Sequence, residues 1–193
     1  METNYFDTYE NLVKQAGAFH GDICHGIRIG TRMTMSGLRR IGIVDHKGAD
    51  RKKLMVFVEI DRCTTDAIMA LTGCRPGKRT MKIRDYGKMA ATFINLETRK
   101  AFRVVVRGNR KQDGNNGSEE PDFAALPEEE LFTINEVEVV LRPEDMPGKP
   151  LRRIPCARCG EIIMDGREVP SGQEQQVLCV PCAAASDYYR IIG

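Results

Sequence analysis

Two Cys-x-x-Cys pairs near the C-terminus, at Cys156 and Cys159 and at Cys179 and Cys182, constrain the fold of this chain more than any other feature. Each short loop lets two thiolates converge on one ion while backbone amides point at sulfur, and two such loops complete a tetrahedral site. The nineteen residues between the pairs suit a small β-ribbon, with Gly166 and Ser171-Gly172 as turns. A module this short buries too little apolar surface to fold alone, so bound metal must supply much of its folding energy. All four coordination positions are filled by protein, which makes the expected ion structural, and the hairpin-like insert favours zinc over an iron–sulfur cluster. A redox dithiol pair is the competing account.

The rest of the composition narrows the class. The chain has 193 residues, 41% of them hydrophobic and 29% charged, enough for one sizeable domain plus a small module. A formal charge of +2 provides no global attraction to nucleic acid or to membranes. No apolar run approaches the roughly 18 residues of a membrane helix. The first residues lack the basic and apolar pattern of a secretory signal, so a cytoplasmic location is expected. The seven cysteines are odd in number, which in a reducing compartment points to metal ligation or thiol chemistry rather than to disulfides.

Apolar spacing predicts a helix over residues 4–18 and a second over 21–41, whose Gly26, Gly30 and Gly37 suit very close packing on a neighbour. A buried strand is expected over residues 54–61, then a helix over 63–71 with Thr64 or Thr65 as N-cap. Strands over 80–85, 90–96 and 102–107 read as an antiparallel meander. A polar loop is expected over 108–122, a short acidic helix over 126–131 and a strand over 132–141, before a proline-punctuated linker. The expected class is α+β: N-terminal helices on a mainly antiparallel sheet over residues 1–146, then a four-cysteine zinc ribbon over 147–193.

A second group of metal-ligating residue types lies at Phe19-His20-Gly21-Asp22-Ile23-Cys24-His25-Gly26. His20 and Cys24, four apart, would share one face of a helix and either bind one metal or pair as base and thiol. Cys63, at a strand-to-helix junction, is expected to have its thiol pKa lowered by the helix N-terminus. Cys74 either lines the same pocket or packs in the core, while His25, His46 and Lys78 read as solvated.

Taken together, F-H-G-x-x-C-x-G at residues 19–26, D-x-C-x-x-D-A-x-x-x-L-T-G-C-x-x-G-K at 61–78 and C-x-x-C-G-E…C-x-x-C-A…Y at 156–188 resemble the FmdE family of formylmethanofuran dehydrogenase proteins. The likeness covers nearly the whole chain in order. It implies a two-part, dimeric protein whose His20, Cys24 and Cys63 form a catalytic or metal-binding pocket. Within that pocket His20 and Cys24 are metal ligands for a second transition metal, or members of a redox-active thiol site. It also implies a molybdenum or tungsten oxidoreductase as partner, with this chain an accessory piece that is not catalytic alone. Asp22 and His25 depart from the family pattern, which has histidine and proline at those positions, and Asp22 would offer an oxygen ligand instead.

The alternative is a zinc-ribbon regulator that binds a protein partner or nucleic acid. From Lys149 to Gly193 six basic side chains face five acidic ones, so nucleic acid is disfavoured. A protein contact is the better expectation for the ribbon, with Tyr188, Tyr189, Ile191 and Ile192 as its apolar surface.

Overall fold

The computed structural model describes residues 8–108, 122–172, 176–186 and 188–192. The first residues of the expected N-terminal helix and nearly all of the expected polar loop lie outside them. The chain divides into two compact units, Met1–Val140 and Leu141–Gly193.

In the first unit, helices α2 (His25–Arg40) and α3 (Cys63–Thr72) pack against a five-stranded sheet, and α1 (Tyr9–His20) packs on those two helices. The strands are β1 (Leu54–Val58), β2 (Met81–Ile83), β3 (Ala90–Asn95), β4 (Ala101–Val106) and β5 (Phe132–Glu136). A four-residue helix α4, Glu128–Leu131, precedes β5, and its Glu128 carboxylate is ion-paired with Arg39 and Arg40 of α2.

The sheet order β2-β1-β3-β4-β5 corrects the expected meander in one place. Strands β3, β4 and β5 do pair antiparallel in sequence, but β2 lies on the far side of β1 and parallel to it. The reason is α3. A helical crossover returns the chain to the end from which β1 started, so the next strand must run parallel to β1. The loop after β2 then folds across the end of β1, where Arg84 donates to the Val58 carbonyl and Tyr86 and Lys88 donate to that of Glu59.

The glycines of α2 have the use expected of them. A Cβ on Gly30 would stand 2.8 Å from the Ala67 Cβ of α3, and one on Gly37 would stand 2.2 Å from the Phe93 ring of β3. The helix backbone thus rests directly on both a helix and the sheet. Buried Thr31 and Thr34 donate their hydroxyls to the carbonyls of Ile27 and Gly30, so neither polar group is left unpaired. One core cluster, including Met33, Leu38, Val56, Ile68 and Phe93, fills the space between these helices and the sheet. A second joins Leu12, Val13 and Ala16 of α1 to Ile27, Ala67 and Leu71.

The second unit carries two small hairpins, β6 (Arg153–Pro155) with β7 (Ile162–Met164) and β8 (Val169–Pro170) with β9 (Val177–Leu178), then helix α5 (Val180–Ala184). Gly166, at φ +69°, and Gly172, at φ +81°, adopt the left-handed turns expected of them. The class is α+β with a C-terminal cysteine cluster consistent with a zinc ribbon.

Candidate metal centres

Cys156, Cys159, Cys179 and Cys182 converge with their sulfurs all within 4.8 Å of one another. The Cys159 and Cys179 sulfurs are 3.8 Å apart, the edge of a tetrahedron built on zinc–sulfur bonds of about 2.3 Å. The geometry follows from the two Cys-x-x-Cys loops. Cys156 directly follows β6, and Cys179 caps α5, whose first turn carries Cys182.

The electrostatics fit a bound cation. Backbone amides of Cys159 and Cys179 directed at its sulfur hold the Cys156 thiol down at about 6, and the Cys179 amide donates to that sulfur at 3.3 Å. The Cys182 thiol is pushed up to about 12, first by its hydrogen bond with Cys179 and then by desolvation. Four thiolates cannot share this volume without a positive ion, and a divalent metal removes that conflict. The donor set therefore fits zinc, in a position closed by protein.

The second cluster gathers His20, Cys24 and Cys63, whose ligand atoms also lie within 4.8 Å of one another. All three side chains are half-buried. The sequence expectation of one helix face joining His20 and Cys24 is corrected here. α1 ends at His20 because Gly21 takes the left-handed C-cap, at φ +112°, and Cys24 is the N-cap of the next helix, α2. The two residues meet across a helix–turn–helix corner instead. Cys63 arrives from a third element, as the first residue of α3.

Close packing brings α3 to the site. A Cβ on Gly26 would lie 2.8 Å from the Cβ of Cys63, and the Thr64 hydroxyl donates to the Gly26 carbonyl at 3.2 Å. Thr65 donates to the Ile60 carbonyl, so neither threonine serves as the helix cap, a position held by Arg62. The thiol of Cys63 is raised rather than lowered. Its hydrogen bond with Cys24 dominates, burial adds to it, and the helix terminus does not outweigh them.

The remaining expected residues separate. Asp22 places Oδ1 3.6 Å from His20 Nε2 but is outside the three-residue cluster. His25 is exposed, with its ring edge-on to Phe123. Lys78 is exposed too. His46, expected in solvent, is half-buried, and burial holds its pKa below the usual value. Cys74 belongs to the core against the sheet, where burial raises its thiol, and does not line the site. Asp66, by contrast, was not singled out from sequence. Its Oδ2 lies 2.8 Å from His20 Nδ1. The available signal was its spacing, since a residue three after Cys63 shares that face of the helix.

A nitrogen and two sulfurs make a three-ligand set, the donor type that suits zinc and other borderline transition metals. The fold and its two clusters define a class: an α+β domain that gathers a histidine and two cysteines, followed by a four-cysteine ribbon.

The family model described as "FmdE, Molybdenum formylmethanofuran dehydrogenase operon" matches residues 19–137, more than half of the chain, and the chain belongs to that family. A curated protein of Archaeoglobus fulgidus, described as a probable S-adenosyl-L-methionine-binding protein, is 28% identical over 227 aligned positions. That alignment takes in 100% of this chain and 57% of the relative, so the chain spans little more than half of the relative's length. A crystal structure of a tungsten formylmethanofuran dehydrogenase FmdE-like protein, from Syntrophus aciditrophicus, superposes with a TM-score of 0.56 at 22% identity. The match covers 94% of this chain and 95% of that one, and at this identity it establishes the fold.

Proposed function

We propose that the chain is a two-centre metalloprotein: a structural zinc in the ribbon and a second transition metal held by His20, Cys24 and Cys63. Its role in this reading is that of an accessory protein to a molybdenum or tungsten oxidoreductase of the formylmethanofuran dehydrogenase type, without turnover of its own. The observation that carries it is the convergence of the three ligands from three separate helices. Chance contacts rarely bring two thiols and an imidazole to one half-buried point, and such clusters mark functional positions. The bound metal would supply Lewis acidity at its open position. His20 and the two thiols would hold it. Membership of the family supports the choice of partner. Self-association through the exposed Tyr188, Ile191 and Ile192 completes the reading.

The test is metal content per chain, measured on protein purified without added metal or chelator, beside Cys24→Ala. Two metal ions falling to one in the variant is the expected result. One ion in both proteins would confine metal to the ribbon and sink the proposal.

A second reading draws on the description of the Archaeoglobus relative. A cleft of about 450 Å³ in the first unit is lined by Tyr9, Val13, Lys14, Ile23, Arg28 and Phe123, among others. Its size and its mixture of aromatic and charged groups suit a ligand with a flat ring and a zwitterionic amino-acid end, as S-adenosylmethionine has. Calorimetric titration with that compound, compared with Phe123→Ala, tests it. Absence of binding to the wild-type chain removes this reading and leaves the first intact.

A further inference from the structure

We infer that Asp66 is a positioning residue for the N-terminal metal centre: it fixes the tautomer and orientation of His20 so that Nε2 is the nitrogen free to coordinate. The inference rests on the metal reading of the His20, Cys24 and Cys63 cluster.

The contact is short and specific. Asp66 Oδ2 lies 2.8 Å from His20 Nδ1. An ionised carboxylate has no hydrogen to donate, so Nδ1 must carry the shared proton. The neutral ring then keeps its lone pair on Nε2. A metal-binding histidine commonly uses its other ring nitrogen in this way, which sets both tautomer and ring plane.

The need for such a partner comes from where His20 sits. It is the last residue of α1, directly before the Gly21 cap, so one side of its ring has no following turn of helix against it. Asp66 supplies the restraint from α3, one turn after Cys63. The first turn of α3 therefore presents a sulfur ligand and the group that aims the nitrogen ligand. That turn is itself held in place by Thr64 on the Gly26 carbonyl and by Thr65 on the Ile60 carbonyl.

A rival carboxylate makes the choice of tautomer consequential. Asp22 Oδ1 stands 3.6 Å from Nε2, with its side chain 75% exposed. At that separation and exposure it competes poorly while Asp66 holds Nδ1–H. Without Asp66, Asp22 has only to move closer by a few tenths of an ångström to accept from an Nε2–H. The ring would then offer a proton where the metal needs a lone pair.

The experiment uses the full chain with its ribbon zinc retained and the N-terminal centre metal-free. Nitrogen-15 labelling of histidine and long-range proton–nitrogen correlations, recorded at alkaline pH, read the tautomer of His20 directly. The wild-type ring should be protonated at Nδ1, Asp66→Ala should shift it towards Nε2–H, and Asp66→Asn should retain Nδ1–H through its amide oxygen. Cobalt(II) titration of the same proteins should show affinity at the second centre falling about 10–100-fold in Asp66→Ala. Asp66→Asn should recover most of that loss, with ribbon occupancy unchanged throughout. A wild-type His20 protonated at Nε2 overturns the inference even if no variant folds. So does an Asp66→Ala protein with wild-type tautomer and cobalt affinity. Failure of the wild-type chain to bind a second cobalt overturns the metal reading instead, and the tautomer series then decides the role of Asp66 by itself.

Discussion

The bare Cα of Gly26 rests against Cys63: a methyl group there would stand 2.8 Å from the Cys63 Cβ and 3.5 Å from the Thr64 amide nitrogen. Neither neighbour is the free end of a flexible side chain, so Gly26→Ala must push α2 and α3 apart. Alanine contributes up to about 1 kcal/mol of helix propensity over glycine, while overpacking costs about 1–3 kcal/mol. The clash wins. The expected outcome is a second-site metal affinity lowered by an order of magnitude or more, with ribbon metal unaffected, measured by competition against a chromophoric chelator. Unchanged affinity would show that the helix contact does not set the ligand geometry.

Gly37 offers the same test for the fold alone. An added Cβ would lie 2.2–2.5 Å from three atoms of the Phe93 ring, which is fully buried. Gly37→Ala should therefore lower unfolding free energy by about 2 kcal/mol, seen as a reduced urea midpoint. Adding Phe93→Leu should cost less than the two single changes summed, because the smaller side chain relieves the contact. Strict additivity of the pair would refute that account.

A pH dependence follows from Glu59. Arg103 holds both of its carboxylate oxygens at 2.6 Å, and these hydrogen bonds keep the carboxyl below its ordinary pKa. A carboxyl depressed by folding adds stability that is complete above its unfolded pKa, about 4.3, and is lost as pH falls through the folded value. With the Arg103 side chain 30% exposed, water softens the pair, and a loss of about 1–2 kcal/mol in Glu59→Gln is expected near neutrality. The difference from wild type should shrink as pH drops below about 4. Denaturant melts across that range check it, and a gap that stays constant would assign the stabilisation to something other than ionised Glu59.

Metal removal should act on the two units differently. Among the described residues of Leu141–Gly193, only Asp145, Cys156, Ile163 and Asp165 are buried. So small an interior cannot offset chain entropy without its ion. A strong chelator should collapse the amide dispersion of β6–β9 while leaving the helical circular dichroism of α1–α3 in place. Survival of the ribbon signals in metal-free protein would count against a metal-dependent fold.

Local chemistry made much of this readable in the chain. The ribbon cysteines announce themselves because two Cys-x-x-Cys loops bring their own ligands together. The glycines of α2 signalled a close approach before its partners, Cys63, Ala67 and Phe93, were known. Cys74 could not be separated from Cys63 by type or by proximity to a helix end. Only its place beneath the sheet, with its sulfur towards the Leu54 carbonyl, makes it a packing residue.

What the sequence determined by itself were the local events: which segments bury a face, where the helix begun at Cys63 ends, and which cysteines come in pairs. Tertiary structure decided the rest. It placed β2 beyond β1, turned the spacing of His20 and Cys24 into a corner between two helices, and brought Asp66 to His20 across 46 residues of chain. The physical reason is that caps and loops are governed by neighbours a few residues away. Strand order and a three-helix ligand set depend on which apolar faces pack together, and that is settled only when the whole core closes.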